Sequence, residues 1–473
     1  MFPTYPNALM TSKNLCRALL LLMAVHAAWL VFYHNTDGLA HFAFYGLDTF
    51  VNFHVENSWV GKNYYAELAR GFSQLKLGFA VLPPQELLDH ANPYGGDAAT
   101  SGLIIQDASL YRDRYFLYYG PPPVILFYMP IYYLFGIIPT DGMILSVLSV
   151  IYICFVYHFS EQILKTSKLT AAVFFIGFVY NPIMISHFMF YTCAGVSRLF
   201  VVLCLILGFR CLLRLSRHEP VKNAEIAFVL VSMALAAATR PSYLIEYIVI
   251  LLLMLYFSRA SKIGIGIGIG VMLSTIVLCL KLIYNFLRFH DPLENGQRFI
   301  VNGIDFRENS IIDLPSSVLS LMHNYLYRIY EYFFAPPNYT GSEHLLNRDT
   351  LLPASHASYS EGVIGYFWFN PSLLILILVL LVPIISKRSF RRDEIVLIGF
   401  GAFLVAFNFL LLTLIPGAAN HFGLELIPKL MLFCYALLYC KGTAKIRFSI
   451  LPTTLILTLL LIPIDGVLSF RKL

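Results

Sequence analysis

Apolar segments that contain no charged residue rule out an ordinary soluble fold for this chain. Leu373–Ile385 (LLILILVLLVPII) is one of them. Hydrophobic residues make up 58% of the chain and charged residues 13%, whereas soluble domains average about 45–50% apolar and about 25% charged residues. Apolar segments of ~20 residues match the hydrocarbon thickness of a bilayer. The few charged residues could not cover one very large buried core, so we predict an integral membrane protein.

The hydrophobic pattern predicts an all-α fold, in which a polytopic bundle of about eleven transmembrane helices forms a single domain over 1–473. The predicted spans lie near 18–32, 143–160, 169–188, 195–213, 225–240, 242–258, 263–284, 371–386, 395–415, 426–440 and 449–466.

Lysine and arginine clusters set the predicted orientation, because short cytoplasmic loops carry an excess of these residues. The main clusters fall on one side of the membrane, which we assign to the cytoplasm together with the N-terminus. They include Lys13 and Arg17, Lys387–Arg392 and Lys441–Arg447. Because the basic residues lie at span ends rather than along one stripe, the net charge of +6 does not indicate nucleic-acid binding.

The segment Pro122–Ile138 (PPVILFYMPIYYLFGII) is apolar, but it is short and Pro130 interrupts it. If it crossed the membrane, every later basic cluster would move to the opposite side. We therefore predict a re-entrant or interfacial segment and keep a full crossing as the alternative.

Two long polar stretches, 33–121 and 289–361, are predicted to form extracytoplasmic loops. Together they hold 18 of the 27 acidic residues of the chain. Long loops on a rigid scaffold commonly carry function. Apolar residues at helical spacing predict one interfacial helix in each loop, over 63–72 and 316–334. In the first helix, Glu67 and Arg70 are expected to lie off the apolar stripe.

The most informative stretch is Gln106–Pro123 (QDASLYRDRYFLYYGPPP), which is rich in tyrosine and arginine and ends in a Gly-Pro turn. Tyrosine and arginine side chains can line a pocket for a sugar phosphate. Anchoring at the membrane interface explains the aromatic residues equally well. Arg240, within ATRPS, and Arg288, within YNFLRF, stand at predicted outer span ends. Each is either an ordinary charge at the membrane boundary or a residue that binds an anion.

The glycine-rich run Lys262–Gly270 (KIGIGIGIG) resembles a phosphate loop only superficially, because it opens a predicted span instead of following a strand. Gly264 with Gly268, and Gly266 with Gly270, have the small-xxx-small spacing of closely packed helices. We predict that both pairs serve helix packing.

The order of several motifs resembles that of the GT-C superfamily of multi-spanning membrane glycosyltransferases, particularly its poorly characterised bacterial members. The resemblance covers most of the chain with loose motifs. Asp107–Pro123 is the closest match, to a pattern like D-x-S-x-Y-x-G-x-Y-Y-x-Y-x-G-P; Asp113 departs from it where glycine is usual, and Phe116 where tyrosine is. The other matching stretches are 63–78, 92–94, 237–241, 284–296 and 361–371.

The resemblance implies transfer of a sugar from a polyprenyl-phosphate donor to an extracytoplasmic acceptor, in a multi-pass protein of the bacterial inner membrane. It implies a catalytic acid in the first loop, with Asp48 as first choice and Glu67 and Asp107 as further candidates. It leaves open whether a divalent cation takes part. The substrate-binding candidates on the matching stretches are Tyr118, Tyr119, Arg240, Asn285, Arg288 and Glu294.

Two other classes of function remain open from the sequence. One is a transporter or flippase for a lipid-linked substrate, although no inverted repeat is evident. The other is a non-catalytic scaffold of a glycan-assembly complex.

Overall fold

The computed structural model of the 473-residue chain describes residue 25 and residues 63–95, 104–105, 108–162, 192–258, 264–301, 305–307, 318–334, 391–414 and 426–439. Within these ranges the chain is mostly helical, as predicted. The predicted spans near 18–32, 169–188, 371–386 and 449–466 lie outside the described residues, apart from residue 25.

Eleven helices are named here in chain order, and every predicted span that falls largely on described residues coincides with one of them. A π-helical turn, Val124–Tyr128, runs directly into α3. The helices are α1 (Tyr64–Ser73), α2 (Gln85–Leu88), α3 (Met129–Phe135), α4 (Asp141–Gln162), α5 (Thr192–Ser216), α6 (Asn223–Thr239), α7 (Tyr243–Ser258), α8 (Gly264–Phe289), α9 (Val318–Phe334), α10 (Arg392–Leu414) and α11 (Leu426–Tyr439).

Three helical segments of the described chain are long and apolar enough to cross a membrane: Gly195–Ser216, Gly264–Phe289 and Arg392–Thr413. Shorter apolar helices occupy Val124–Phe135, Asp141–Val156, Asn223–Thr239 and Tyr243–Ser258. Because a helix rises about 1.5 Å per residue and the hydrocarbon layer is about 30 Å thick, Val124–Phe135, Asn223–Thr239 and Tyr243–Ser258 do not reach across on length alone. Asp141–Val156 is part of α4, whose full 22 residues are long enough. The eleven-span bundle therefore stays a prediction.

Glycines bring α8 close to α6. A Cβ atom on Gly266 would lie 2.7 Å from the backbone of Asn223, and one on Gly270 would lie 2.7 Å from a methyl group of Leu230. The packing prediction is thus confirmed for this pair of glycines. Gly264 and Gly268 lie on the opposite side of the helix and have no described atom within 4 Å of that position, so their packing role stays a prediction.

A short antiparallel hairpin, β1 (Ser109–Tyr111) and β2 (Arg114–Phe116), departs from the predicted all-α fold. The turn between the strands takes its left-handed backbone at Arg112 (φ 57°). The hairpin also joins the two predicted loops, because the backbone N–H of Val301 donates to the carbonyl of Ala108 over 2.9 Å. The ring of Tyr111 packs 4.7 Å from that of Phe299.

Helices α1 and α4 cap each other across a long sequence separation. The Asp141 carboxylate accepts hydrogen bonds from the backbone N–H groups of Tyr65 (3.0 Å) and Ala66 (2.8 Å) and from the Tyr128 hydroxyl (2.7 Å). In return, the side-chain oxygen of Asn63 accepts from the backbone N–H of Asp141 over 3.1 Å. These contacts satisfy N–H groups that a helix start leaves without intrahelical partners.

Candidate functional site

The C-terminal half of α8 carries one polar face. Lys281, Tyr284, Asn285 and Arg288 follow the i, i+3, i+4, i+7 spacing that places side chains on one side of a helix. All four are buried, with relative exposures from 3% to 9%. Apolar residues of the same helix, Leu280, Ile283 and Leu287, are exposed on the other side. A buried polar face on an apolar helix requires partners inside the protein or from a ligand.

Arg288 is held in place by two hydrogen bonds. Its Nη1 donates to the carbonyl of Leu117 (2.7 Å), and its Nη2 donates to Oδ1 of Asn285 (2.9 Å). The guanidinium carbon lies 4.0 Å from the centroid of the Tyr284 ring and 4.6 Å from that of Phe289. Its Nε is buried and has no hydrogen-bond partner in the part of the chain that the structure describes.

Lys281 lies two turns earlier on the same face. Its Nζ is 5.6 Å from the centroid of the Tyr284 ring, and it too lacks a hydrogen-bond partner among the described residues. The Tyr284 hydroxyl donates to the carbonyl of Leu77 over 3.0 Å. Lys281 is not among the site residues predicted from the sequence. Its seven-residue spacing from Arg288 is the signal that would have placed the two cations on one face.

Arg240 reaches the same region through the segment Leu117–Gly120. The backbone N–H of Gly120 donates to the carbonyl of Thr239 over 2.8 Å. A Cβ atom on Gly120 would lie 1.8 Å from the carbonyl oxygen of Ala238, so this close approach requires glycine. The guanidinium carbon of Arg240 lies 5.3 Å from the centroid of the Tyr119 ring.

The segment Leu117–Gly120 therefore contacts both predicted arginines, Arg240 and Arg288. It also carries two predicted substrate-binding residues, Tyr118 and Tyr119, whose ring centroids are 4.1 Å apart. Residues predicted separately thus come together around the C-terminal ends of α6 and α8.

No family model matches the chain, and neither a curated protein nor a solved structure is detectably similar to it. The resemblance to GT-C glycosyltransferases therefore rests on motif order alone.

Glu294 shapes the turn that follows α8. Its Oε1 accepts a hydrogen bond from the backbone N–H of Gly296 (2.7 Å), whose backbone is left-handed with φ 96°. The carbonyl of Gly296 accepts in turn from the hydroxyl of Ser109 over 2.8 Å. The Glu294 carboxylate also interacts electrostatically with Arg288. Its observed contacts are those of a residue that positions the turn beside the arginine.

Glu67 is buried within α1, which corrects the expectation of a surface helix with this residue off the apolar stripe. Its Oε2 accepts from Arg70 Nη1 (2.7 Å), and its Oε1 accepts from the backbone N–H of Val81 (2.9 Å). Both carboxylate oxygens are therefore engaged within the fold, as in a structural ion pair. The other acid candidates, Asp48 and Asp107, lie outside the described residues.

A second charged cluster surrounds Tyr94 of the NPY motif, which is the matching stretch at residues 92–94. The Tyr94 hydroxyl donates to the carbonyl of Leu110 over 2.6 Å, and the Arg307 guanidinium lies 3.9 Å from the Tyr94 ring centroid. Arg307 Nη2 donates to Asp305 Oδ2 over 2.6 Å. The hydrogen bonds from Arg307 hold the pKa of the Asp305 carboxyl at about 2. These contacts are all internal, which indicates that the motif stabilises the fold here.

Within the described ranges, no group of three or more histidine, cysteine or acidic side chains is arranged to hold a metal ion.

Proposed function

We propose that this protein is a multi-pass membrane glycosyltransferase that moves a sugar from a polyprenyl-phosphate donor to an extracytoplasmic acceptor. The observation that carries the proposal is Arg288, a buried arginine held against the Leu117–Gly120 segment, whose Nε has no hydrogen-bond partner among the described residues. A buried charged group is costly unless it is paired and hydrogen-bonded. The phosphate of a lipid-linked donor supplies both a charge and acceptor oxygens.

The geometry around Arg288 supports a phosphate-binding role. Two of its nitrogen atoms are fixed by Leu117 and Asn285, so the guanidinium does not have to be ordered when a ligand arrives. Preorganised donors of this kind lose little entropy on binding. Charge-assisted contacts from arginine to phosphate are among the stronger hydrogen bonds in proteins.

The remaining candidates take supporting roles in this proposal. Asn285 and Glu294 position Arg288 and the turn behind it, while Tyr118 and Tyr119 provide aromatic surfaces of the kind that contact sugar rings. Arg240 supplies a second permanent positive charge beside the Leu117–Gly120 segment. Asp48 remains the first choice for the general base that takes the proton of the acceptor hydroxyl, with Asp107 as the further candidate.

The test is a transfer assay with the purified full chain in nanodiscs. The probes are radiolabelled polyprenyl-phosphate glucose and polyprenyl-phosphate mannose, and the measurement is release of the label from the lipid phase. The wild-type protein is expected to release label, and Arg288→Met is expected to lower the rate roughly 100-fold. Arg298→Met is the matched control, because Arg298 is an exposed arginine nearby. Repeating the assay with EDTA decides whether a divalent cation is required.

A transporter would give a different result. It would move the intact labelled lipid across the bilayer of a sealed vesicle, and it would release no sugar. If neither probe is bound or consumed, the proposal is wrong for these donors. If both arginine variants lose activity equally, the assignment of Arg288 to the phosphate site is wrong.

A further inference from the structure

Two buried cations on α8 face one aromatic ring. Lys281 Nζ and the Arg288 guanidinium carbon lie 5.6 Å and 4.0 Å from the centroid of the Tyr284 ring. The two groups are therefore no farther apart than the sum of these distances. Neither forms an ion pair with an acid within the described chain, although Glu294 interacts electrostatically with Arg288. The two cations differ in kind, because arginine presents a planar fork of donors while lysine carries a compact charge on a flexible stem.

The proposed reaction changes the charge on the donor phosphate. The acceptor oxygen forms a bond to the anomeric carbon of the sugar, and its proton passes to a carboxylate. The bond between that carbon and the phosphate oxygen breaks, and the electron pair stays on the phosphate. The phosphate thus changes from a diester with a single negative charge to a monoester with about −1.5 to −2 at pH 7.

We propose that Lys281 contacts the leaving phosphate and stabilises the second negative charge that develops on it, while Arg288 neutralises the first. This inference rests on the proposed function. An interaction that is stronger in the transition state than with the bound donor accelerates the chemical step. The flexible stem of lysine allows its ammonium group to follow the phosphate as the charge develops.

The site should therefore prefer a phosphate monoester to a diester. The probes are polyprenyl phosphate and its methyl diester, titrated separately against the full chain in nanodiscs at pH 7.5. Wild-type protein is expected to bind the monoester roughly 10- to 100-fold more tightly, the range for a hydrogen bond to a charged group. Lys281→Met should lose this preference and keep its affinity for the diester, and Lys281→Arg should retain the preference.

Other arms of the experiment separate this inference from the proposed function. Arg288→Met should weaken binding of both probes. If Lys281→Met keeps the wild-type preference, the role of Lys281 is wrong, while diester binding that depends on Arg288 still supports the proposed function. If no variant and no wild-type sample binds either probe, both proposals fail.

Phosphatidic acid, which also carries a phosphate monoester, is the competitor that tests the source of the phosphate. If it displaces polyprenyl phosphate with equal affinity, the site binds an ordinary membrane lipid, and the assignment to the donor is overturned. In the transfer assay, Lys281→Met is expected to lower kcat with little change in the KM for the donor, whereas loss of a purely structural residue would lower the amount of folded protein.

Discussion

Two buried lysines occupy different surroundings in this protein. Lys429 of α11 lies 2.6 Å from the carboxylate of Glu246 on α7, and both side chains are 1% exposed. Lys281 of α8 is also buried, but its nearest charged neighbour is another cation, Arg288, and its Nζ has no hydrogen-bond partner in the described part of the chain. The first lysine forms an ion pair between two helices. The second has no acidic partner among the described residues, and we propose that it binds an anionic ligand.

Some buried charges are satisfied by partners within the fold, and others are proposed to bind a ligand. Glu67 and Asp305 belong to the first class, because arginine side chains already bond to them. Arg288 and Lys281 are proposed to belong to the second class. Removing one partner of a buried ion pair lowers the free energy of unfolding, because the charge left behind stays buried without compensation. Removing a buried charge that is already uncompensated does not have this effect and can raise the free energy of unfolding.

The largest effect is expected from Lys429→Met. Removing the cation beside Glu246 should lower the free energy of unfolding by about 3–5 kcal/mol, measured by equilibrium unfolding in mixed micelles. The matched control, Lys281→Met, replaces a buried lysine that has no acidic partner among the described residues, so it should leave this free energy unchanged or raise it.

A double variant refines the test. Glu246→Leu combined with Lys429→Met replaces both charges with apolar groups, and it should recover most of the lost stability. If the two lysine variants are destabilised equally, then Lys281 is structural and the contrast between the two regions disappears.

A smaller effect is expected from Glu67→Gln. The amide oxygen can still accept from the backbone N–H of Val81, but the ion pair with Arg70 is lost, which should cost about 1.5–3 kcal/mol of unfolding free energy. Transfer activity per folded molecule should not change. Glu86→Gln is the control, because Glu86 is exposed in the same segment. Abolished transfer with unchanged stability would instead make Glu67 the general base.

The helices were largely predictable because their signal is local. Long apolar segments bounded by charges predicted α5, α6, α7, α8 and α10 to within a few residues, and helical spacing predicted α1 and α9. The hairpin was missed because its strands have three residues each, too few to show a clear alternation.

The environment of each charged residue was much less predictable. The burial of Glu67 depends on Val81, and the cap on α1 depends on Asp141, which follows more than 70 residues later in the chain. No local pattern reveals such partners. For Arg240, sequence identified the residue and its span end, but its contact with Tyr119 requires the close approach at Gly120.

The smallest expected effect concerns acid, and it tests whether Asp305 belongs to the class of satisfied charges. The hydrogen bonds from Arg307 lower the pKa of the Asp305 carboxyl from 3.8 to about 2. Because the pKa is lower in the folded protein, the pair contributes its full stability above the ordinary pKa, and that contribution is lost as the pH falls from about 4 through 2. Unfolding midpoints of the wild-type protein and Asp305→Asn should therefore differ by a constant amount above pH 5 and converge between pH 4 and 2. If the midpoints keep a constant difference down to pH 2, Arg307 does not stabilise the Asp305 carboxylate. Asp305 would then not count among the charges that are satisfied within the fold.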